Sequence, residues 1–297
     1  MNNIVIEEKS SRLIVKGLKD FNLKHIFECG QAFRWENVDE SYIAVHRGLV
    51  AEFYMEEDVL IVENSSREDF QNVWWDYFDL SKDYGKIKDG LRETEAYSQN
   101  DSLKMAMDFG YGIRILKQDE FEMIISFIIS ANNQIPRIKK SIDLIAKTYG
   151  KFIENYKGKD YYAFPEVEAL ASAKPEDLKA ICRVGFRDQR IVDTAKIYRD
   201  KKEDFSAFLS DDKLKENLLA LPGVGPKVCD CIMLFGYARN ETFPVDVWVK
   251  RLMETLYLEE TISNKEIMKY ADNLFGTLKG YAQQYLFYYA RENAIGK

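Results

Sequence analysis

The chain is poor in cysteine and has no long apolar run, and each absence closes off a class of protein. Its four cysteines, Cys29, Cys182, Cys229 and Cys231, stand neither at paired metal-ligand spacing nor at the density of a disulfide scaffold in 297 residues. No metal or other cofactor is expected, and a reducing compartment is. No stretch reaches the roughly 20 apolar residues of a membrane span, and the acidic start Ile4-Val5-Ile6-Glu7-Glu8 does not resemble a signal peptide. A cytoplasmic protein with no membrane partner is expected. No internal repeat or low-complexity tail is visible. Positive charge is also in deficit, with a net charge of −7. That argues against a nonspecific nucleic-acid binder, although a net figure does not say where lysines and arginines cluster, and a local basic face stays allowed. What is present is apolar: 46% of the chain is hydrophobic and 13% of the chain is aromatic, enough for a sizeable core and two or three subdomains.

Residues 2 to 64 alternate apolar and polar over short runs, among them Ile4-Val5-Ile6, Arg12 to Val15, Phe33-Arg34-Trp35, Tyr42 to Val45, Leu49 to Tyr54 and Leu60-Ile61-Val62. This pattern predicts a small, mostly antiparallel sheet. From about Arg67 the pattern is helical. Trp74, Trp75, Tyr77 and Phe78 form an aromatic face read as packing between sheet and helices, and Phe121 to Ile129 is apolar all round, as a central helix is. The amides of Asn132, Asn133 and Gln134, just before Pro136 and Arg137, suit either a cap and turn or a binding role. Tyr156 to Phe164 is read as a polar, aromatic-rich connection. Val184-Gly185-Phe186-Arg187-Asp188-Gln189-Arg190 puts an aromatic ring and positive charge on one exposed corner, or is a plain solvated helix start. Ser263-Asn264-Lys265-Glu266 is a capping box, and the last helix, Tyr281 to about Glu292, carries Gln283 and Phe287 one turn apart. The fold class is therefore α+β: a β-rich domain with flanking helices over residues 1–100, then a two-lobed all-α body over 101–297.

The organising stretch is Leu214 to Arg251. An apolar-periodic helix ends at Pro222 and Gly223, and a second opens at Gly225 with Pro226 in its first turn, making a helix-hairpin-helix over about 214–238. The amides around Gly223, Val224, Gly225 and Lys227 then face outward at a positive helix end, a ready site for one phosphate. Lys227 is a cation in that same field, which with partial burial should pull its pKa down from about 10.4 and enlarge the nucleophilic fraction. Nineteen residues on, Pro244-Val245-Asp246 starts another helix with Asp246 at the N-cap. Taken alone, Asp246 reads as a cap and Lys227 as a phosphate contact.

Together, the Leu221-Pro222-Gly223-Val224-Gly225 hairpin, the lysine two residues later and Pro244-Val245-Asp246 resemble the DNA glycosylase superfamily. Adding Gly30-Gln31-Ala32-Phe33-Arg34-Trp35, Asn132-Asn133, Gly185-Phe186-Arg187 and Gln283 with Phe287, the resemblance is to the 8-oxoguanine DNA glycosylase/AP lyases, in order over nearly the whole chain. The alkylated-base branch shares the sheet and hairpin but not the lysine. No cysteine follows Cys231, which sets aside the branch with a C-terminal iron–sulfur cluster.

The resemblance implies a role for each residue. Lys227 attacks the sugar C1′ and forms a Schiff base, and Asp246 stabilises positive charge on the sugar. Cys231 and Phe287 sandwich the flipped base beside Pro244, Gln283 reads its Watson–Crick edge, and the carbonyl of Gly30 senses the oxidised N7. Asn132, Arg137 and Arg187 hold the widowed cytosine, with Phe186 as the wedge. The implied partner is double-stranded DNA containing oxidised guanine, met by a monomer. Trp248 stands where animal members carry a histidine, and Ala290 where they carry an acidic residue, so phosphate grip and strictness for the opposite base stay open. A noncatalytic helix-hairpin-helix module, or a glycosylase for other damaged purines, is the alternative.

Overall fold

The computed structural model describes residues 4–9, 12–258 and 261–295. Six antiparallel strands, β1 (Val5–Lys9), β2 (Arg12–Lys16), β3 (Trp35–Val38), β4 (Ser41–His46), β5 (Leu49–Glu56) and β6 (Val59–Glu63), pair in the order β1-β2-β6-β5-β4-β3. Because strand side chains alternate between faces, Leu13 and Val15, Ala51 and Phe53, and Leu60 and Val62 share one buried face. Helix α1 (Leu23–Glu28) and a helical run over 67–77, which includes a π turn at Phe70–Trp74, cover that face. The aromatic face is core, as its spacing implies: Trp74 and Phe78 each meet the Phe53 ring edge-on at 5.0 Å. Each such buried ring contributes about 1.5–3 kcal/mol.

Phe33 and Arg34 precede β3 rather than belonging to it, and both side chains tie layers together. Phe33 meets Phe127 of the helical body at 5.6 Å between ring centroids, and Arg34 pairs with Glu122 at 3.7 Å and donates to the Tyr162 carbonyl. β4 is buried along its whole length, since its second face is covered too. Ile43 and Val45 pack there against Tyr161 and Ile153 of a hairpin, β7 (Phe152–Tyr156) and β8 (Lys159–Tyr162). The segment from Tyr156 to Phe164, read as a polar, aromatic-rich connection, thus holds the turn and second strand of a hairpin, with Lys157 and Gly158 at positive φ, and the body is not purely helical. Buried Glu52 holds the hairpin down, accepting from Ser41 Oγ and Tyr156 Oη at 2.6 Å and Lys157 Nζ at 2.7 Å.

The body is built around α2 (Glu120–Ser130), capped by Asp119, whose Oδ1 accepts from the Glu122 amide at 2.9 Å. Residues 121 to 129 are all buried. Around it lie α3 (Ile135–Tyr149), α4 (Asp211–Leu219), α5 (Pro226–Gly236), α6 (Val247–Met253), α7 (Asn264–Phe275), which has the capping box read from Ser263 and Glu266, and α8 (Lys279–Glu292). The two cores interlock at residues 29–33, where Cys29 and Phe33 join the helical core while Ala32 joins the sheet core. No helix among the described residues is long and apolar enough to cross a membrane.

Candidate active site

α4 begins at Asp211, three residues before the first apolar position, because Ser210 caps it and accepts from the Lys213 amide. Leu214, Leu218, Leu221, Val224 and Val228 are buried together across the hairpin. The two helices are also tied by Lys215, 2.9 Å from Asp230, a carboxylate 1% exposed. Gly223 turns at φ +87, a backbone conformation that L side chains rarely adopt, and that conformation rather than the movable Arg190 side chain 2.9 Å from a Cβ is what calls for glycine. The Val224 amide donates to the Leu221 carbonyl at 3.1 Å. It closes the turn and is not free for phosphate, contrary to its expected role. Gly225, the N-cap of α5, and Lys227 in the first turn have no backbone acceptor for their amides among the described residues.

α5, the loop before α6, α8 and the turn after α1 converge on one cleft. It is lined by Gly30, Phe127, Lys227, Cys231, Phe235, Pro244, Asp246, Gln283, Gln284 and Phe287. Every residue expected to do chemistry or touch the base is here. Lys227 and Cys231 are one turn apart on α5 and both line the cleft, and the amine lies 5.8 Å from the Phe127 ring centroid. Asp246 caps α6, its Oδ1 accepting from the Val249 amide at 2.8 Å, and still faces the cleft. Gln283 is 4% exposed, and its Oε1 has no hydrogen-bond partner among the described residues. A buried amide oxygen left so costs about 1–3 kcal/mol unless a ligand donor meets it.

The electrostatics correct one expectation. Burial does lower the Lys227 pKa, but the Cys231 sulfur, followed by Asp246, outweighs it, and the amine is held above its ordinary value. Burial pushes the Cys231 thiol up, with Lys227 opposing. Burial also raises the Asp246 carboxyl, against the Val249 amide, Lys227, the Trp248 amide and Arg291. In the free protein the nucleophile is therefore stored as an ammonium beside its partners.

A second group of expected residues meets at a corner. Phe186 is 55% exposed, with the Arg187 and Arg190 guanidiniums 4.3 and 5.3 Å from its ring centroid. Arg187 is not the exposed charge that its sequence position suggested. It is 6% exposed and donates to the carbonyls of Ala131, Asn132 and Val184. The end of α2 explains this, since its last carbonyls lack helical partners and Asn132 turns away at φ +50. Arg137 is exposed in the first turn of α3, and no bond joins it to Asn132 or Arg187 among the described residues.

Sequence reasoning gave no site role to Gln31, which it quoted only within the 30–35 motif, to Phe127, which it read only as core, or to Gln284 and Arg291. Gln31 is fully buried, donating to the carbonyls of Ile26 and Arg114 at 2.8 and 2.7 Å and accepting from the Leu116 amide at 2.9 Å. Nothing in its neighbourhood signals that role. Arg291 could have been found: it continues the Gln283 and Phe287 stripe by one further turn. A larger cavity, about 350 Å³, lies between β3, α3 and the hairpin, beyond the Phe33–Phe127 pair, and contains none of the expected site residues.

The chain matches two family models in succession: 8-oxoguanine DNA glycosylase, N-terminal domain, over residues 13–124, and HhH-GPD superfamily base excision DNA repair protein over residues 125–276. A probable N-glycosylase/DNA lyase of Methanothermobacter thermautotrophicus is 31% identical over 229 residues, 70% of this chain and 73% of that protein. The N-glycosylase/DNA lyase of Saccharomyces cerevisiae is 32% identical over 211 residues, 59% of this chain and 56% of that protein. Among solved structures, the Clostridium acetobutylicum 8-oxoguanine glycosylase/lyase, in complex with double-stranded DNA containing cytosine opposite 8-oxoguanine, is 45% identical. It matches with a TM-score of 0.92 over 99% of this chain and 100% of that one. The chain belongs to the HhH-GPD superfamily of base excision DNA repair proteins and carries the N-terminal domain of the 8-oxoguanine DNA glycosylases.

Proposed function

We propose that the chain is a bifunctional DNA glycosylase/AP lyase that flips 8-oxoguanine, paired with cytosine, out of duplex DNA, excises it and nicks the abasic strand. The observation that carries this is the single cleft in which an amine, a carboxylate and a buried, unsatisfied amide oxygen converge: Lys227, Asp246 and Gln283. A base within the stack cannot be attacked at its sugar, so the nucleotide must leave the duplex and the gap must be filled. By this reading exposed Phe186 acts as the wedge that fills the gap, and Asn132, Arg137 and Arg187 are the residues that meet the widowed cytosine. The amides of Gly225 and Lys227, at the α5 N-terminus beside Gly223, grip a neighbouring phosphate.

Chemistry begins with loss of a proton from the Lys227 ammonium. The amine attacks C1′, and the bond to the base breaks, the base taking the bonding electrons and, in net, the proton that the ammonium gave up. Asp246 offsets the positive charge that develops on the sugar. Opening of the C1′–O4′ bond, with O4′ taking a proton, gives the Schiff base. Removal of a C2′ proton then expels the 3′ phosphate in a β-elimination. The N-terminal part up to about residue 100 contributes Gly30 to the cleft, and the body from about 101 contributes its other residues. One copy supplies the whole cleft, so the enzyme acts as a monomer, in the cytoplasm and at the nucleoid if the cell is prokaryotic.

The test is incubation with a labelled duplex bearing one 8-oxoguanine opposite cytosine, beside an unmodified duplex. Cleavage of only the lesion strand, with a β-elimination end, is expected. Binding without cleavage would instead mark a noncatalytic hairpin module.

A further inference from the structure

The turn that carries Gly30 has an uneven hydrogen-bond pattern. From Glu28 to Ala32, the Glu28 carbonyl accepts from the Arg291 guanidinium, that of Cys29 from Gln284 Nε2 at 3.0 Å, that of Gln31 from Gln118 Nε2 at 2.9 Å and that of Ala32 from Trp35 Nε1 at 2.9 Å. Only the Gly30 carbonyl lacks a donor among the described residues, and Gly30 lines the catalytic cleft. Four anchors thus fix the backbone on both sides of one open acceptor.

Arg291 is the anchor that also reaches the base site. It stands one turn beyond Phe287 and two beyond Gln283 on α8. Its guanidinium carbon is 5.4 Å from the Phe287 ring centroid, and its Nη1 is 3.3 Å from where a Cβ at Gly30 would stand. The same planar group therefore touches the end of α1, the flank of Gly30 and the ring of Phe287. The residue is 18% exposed at its side chain, so the contacts are made out of bulk water, where a charged donor on a carbonyl is worth more than a neutral one.

We propose that Arg291 is a specificity-determining positioning residue. By holding the Glu28 carbonyl and the Phe287 ring with one guanidinium, it fixes where the Gly30 carbonyl meets the N7 edge of a flipped purine. A hydrogen bond weakens steeply with misdirection, so an oxidised purine with hydrogen on N7 gains from this acceptor only while the turn is held. This rests on the proposed lesion excision, and on Gly30 being the carbonyl that reads the lesion.

The experiment compares wild type, Arg291→Met and Arg291→Lys in single-turnover assays on two duplexes, one with 8-oxoguanine opposite cytosine and one with a preformed abasic site. Lysine keeps a positive charge near Asp246 but cannot replace the planar fork. Both variants should lose 8-oxoguanine excision about 10–100-fold, and the loss should exceed that on the abasic duplex at least about tenfold, in keeping with a charged hydrogen bond. Equal losses on the two duplexes would make Arg291 a general stability residue, and full rescue by lysine would make it a plain charge near Asp246; either overturns the proposal. If Arg291→Met fails to fold, judged by thermal melting, Arg291→Lys decides on the same ratio. A wild type inactive on both duplexes would instead refute the proposed function.

Discussion

Arg187 Nη2 donates to the Asn132 carbonyl at 3.1 Å, so two residues assigned to the widowed cytosine are already bonded to each other in the free protein. The guanidinium caps the end of α2, and any contact to the opposite base must use its remaining donor or give up a carbonyl. Arg187→Ala should therefore lower stability by about 1.5–3 kcal/mol, the range for a charged hydrogen-bonded group, and flatten the preference for cytosine over adenine. Denaturant melts and excision rates against the four opposite bases check both parts. A uniform loss of binding with an unchanged preference would make Arg187 a structural or phosphate contact instead.

Gly30 adopts φ +85, and a Cβ there would stand 3.0 Å from Phe287 Cε1. Gly30→Ala is accordingly strained in the backbone and presses on the ring expected to stack on the base. Excision of 8-oxoguanine should fall about tenfold or more if one hydrogen bond to the base is lost, whereas a ring-opened purine, with a more pliable edge, should suffer less. Parallel rates on the two lesions give the ratio; no change in it, with folding intact, would place discrimination elsewhere.

Asp246 carries two roles that asparagine separates. Asparagine caps as well as aspartate, within a few tenths of a kcal/mol, so Asp246→Asn should keep the melting temperature while slowing excision strongly. The carboxyl is raised by burial, so in wild type the active, ionised form is lost as pH falls, on a limb above the ordinary aspartate value of about 3.9. That acid limb should disappear from the pH–rate profile of the variant. Persistence of the limb in the variant would assign it to another group.

Much of this site was legible in the chain because its parts are local and chemically unusual. A proline and two glycines around a lysine, and an aspartate before an apolar helix, declare a helix end from a few residues. The apolar run Phe121–Ile129 declares a buried helix in the same way. What was hidden depends on distant partners. Val224 and Lys227 were judged from the field of one helix, whereas the Leu221 carbonyl takes the first amide and Cys231 and Asp246 reverse the pKa of the second. Arg187 looked like a surface charge until the open end of α2, more than fifty residues earlier, came beside it. The hairpin over 152–162 alternates too weakly to be seen as strands, and it exists because β4 presents a second apolar face.

The Lys227 amine is held above its ordinary value first by Cys231 and then by Asp246. An amine raised in this way is protonated below its pKa, so Schiff-base formation on a preformed abasic duplex should rise with pH into the alkaline range. Cys231→Ala removes the larger cause, and the rising limb should then move to lower pH, whatever happens to the maximal rate. A limb that stays in place, or moves up, would mean that the thiol does not set the state of the amine.

The central claim is that Lys227 is the nucleophile. Borohydride added during turnover of the 8-oxoguanine duplex reduces a Schiff base to a stable amine, and peptide mapping of the adduct identifies the residue. The account predicts one covalent protein–DNA species, with the modification on Lys227, and none with Lys227→Gln, which should still bind the lesion duplex. A trapped species of equal yield in Lys227→Gln, or an adduct mapped to another lysine, would contradict it.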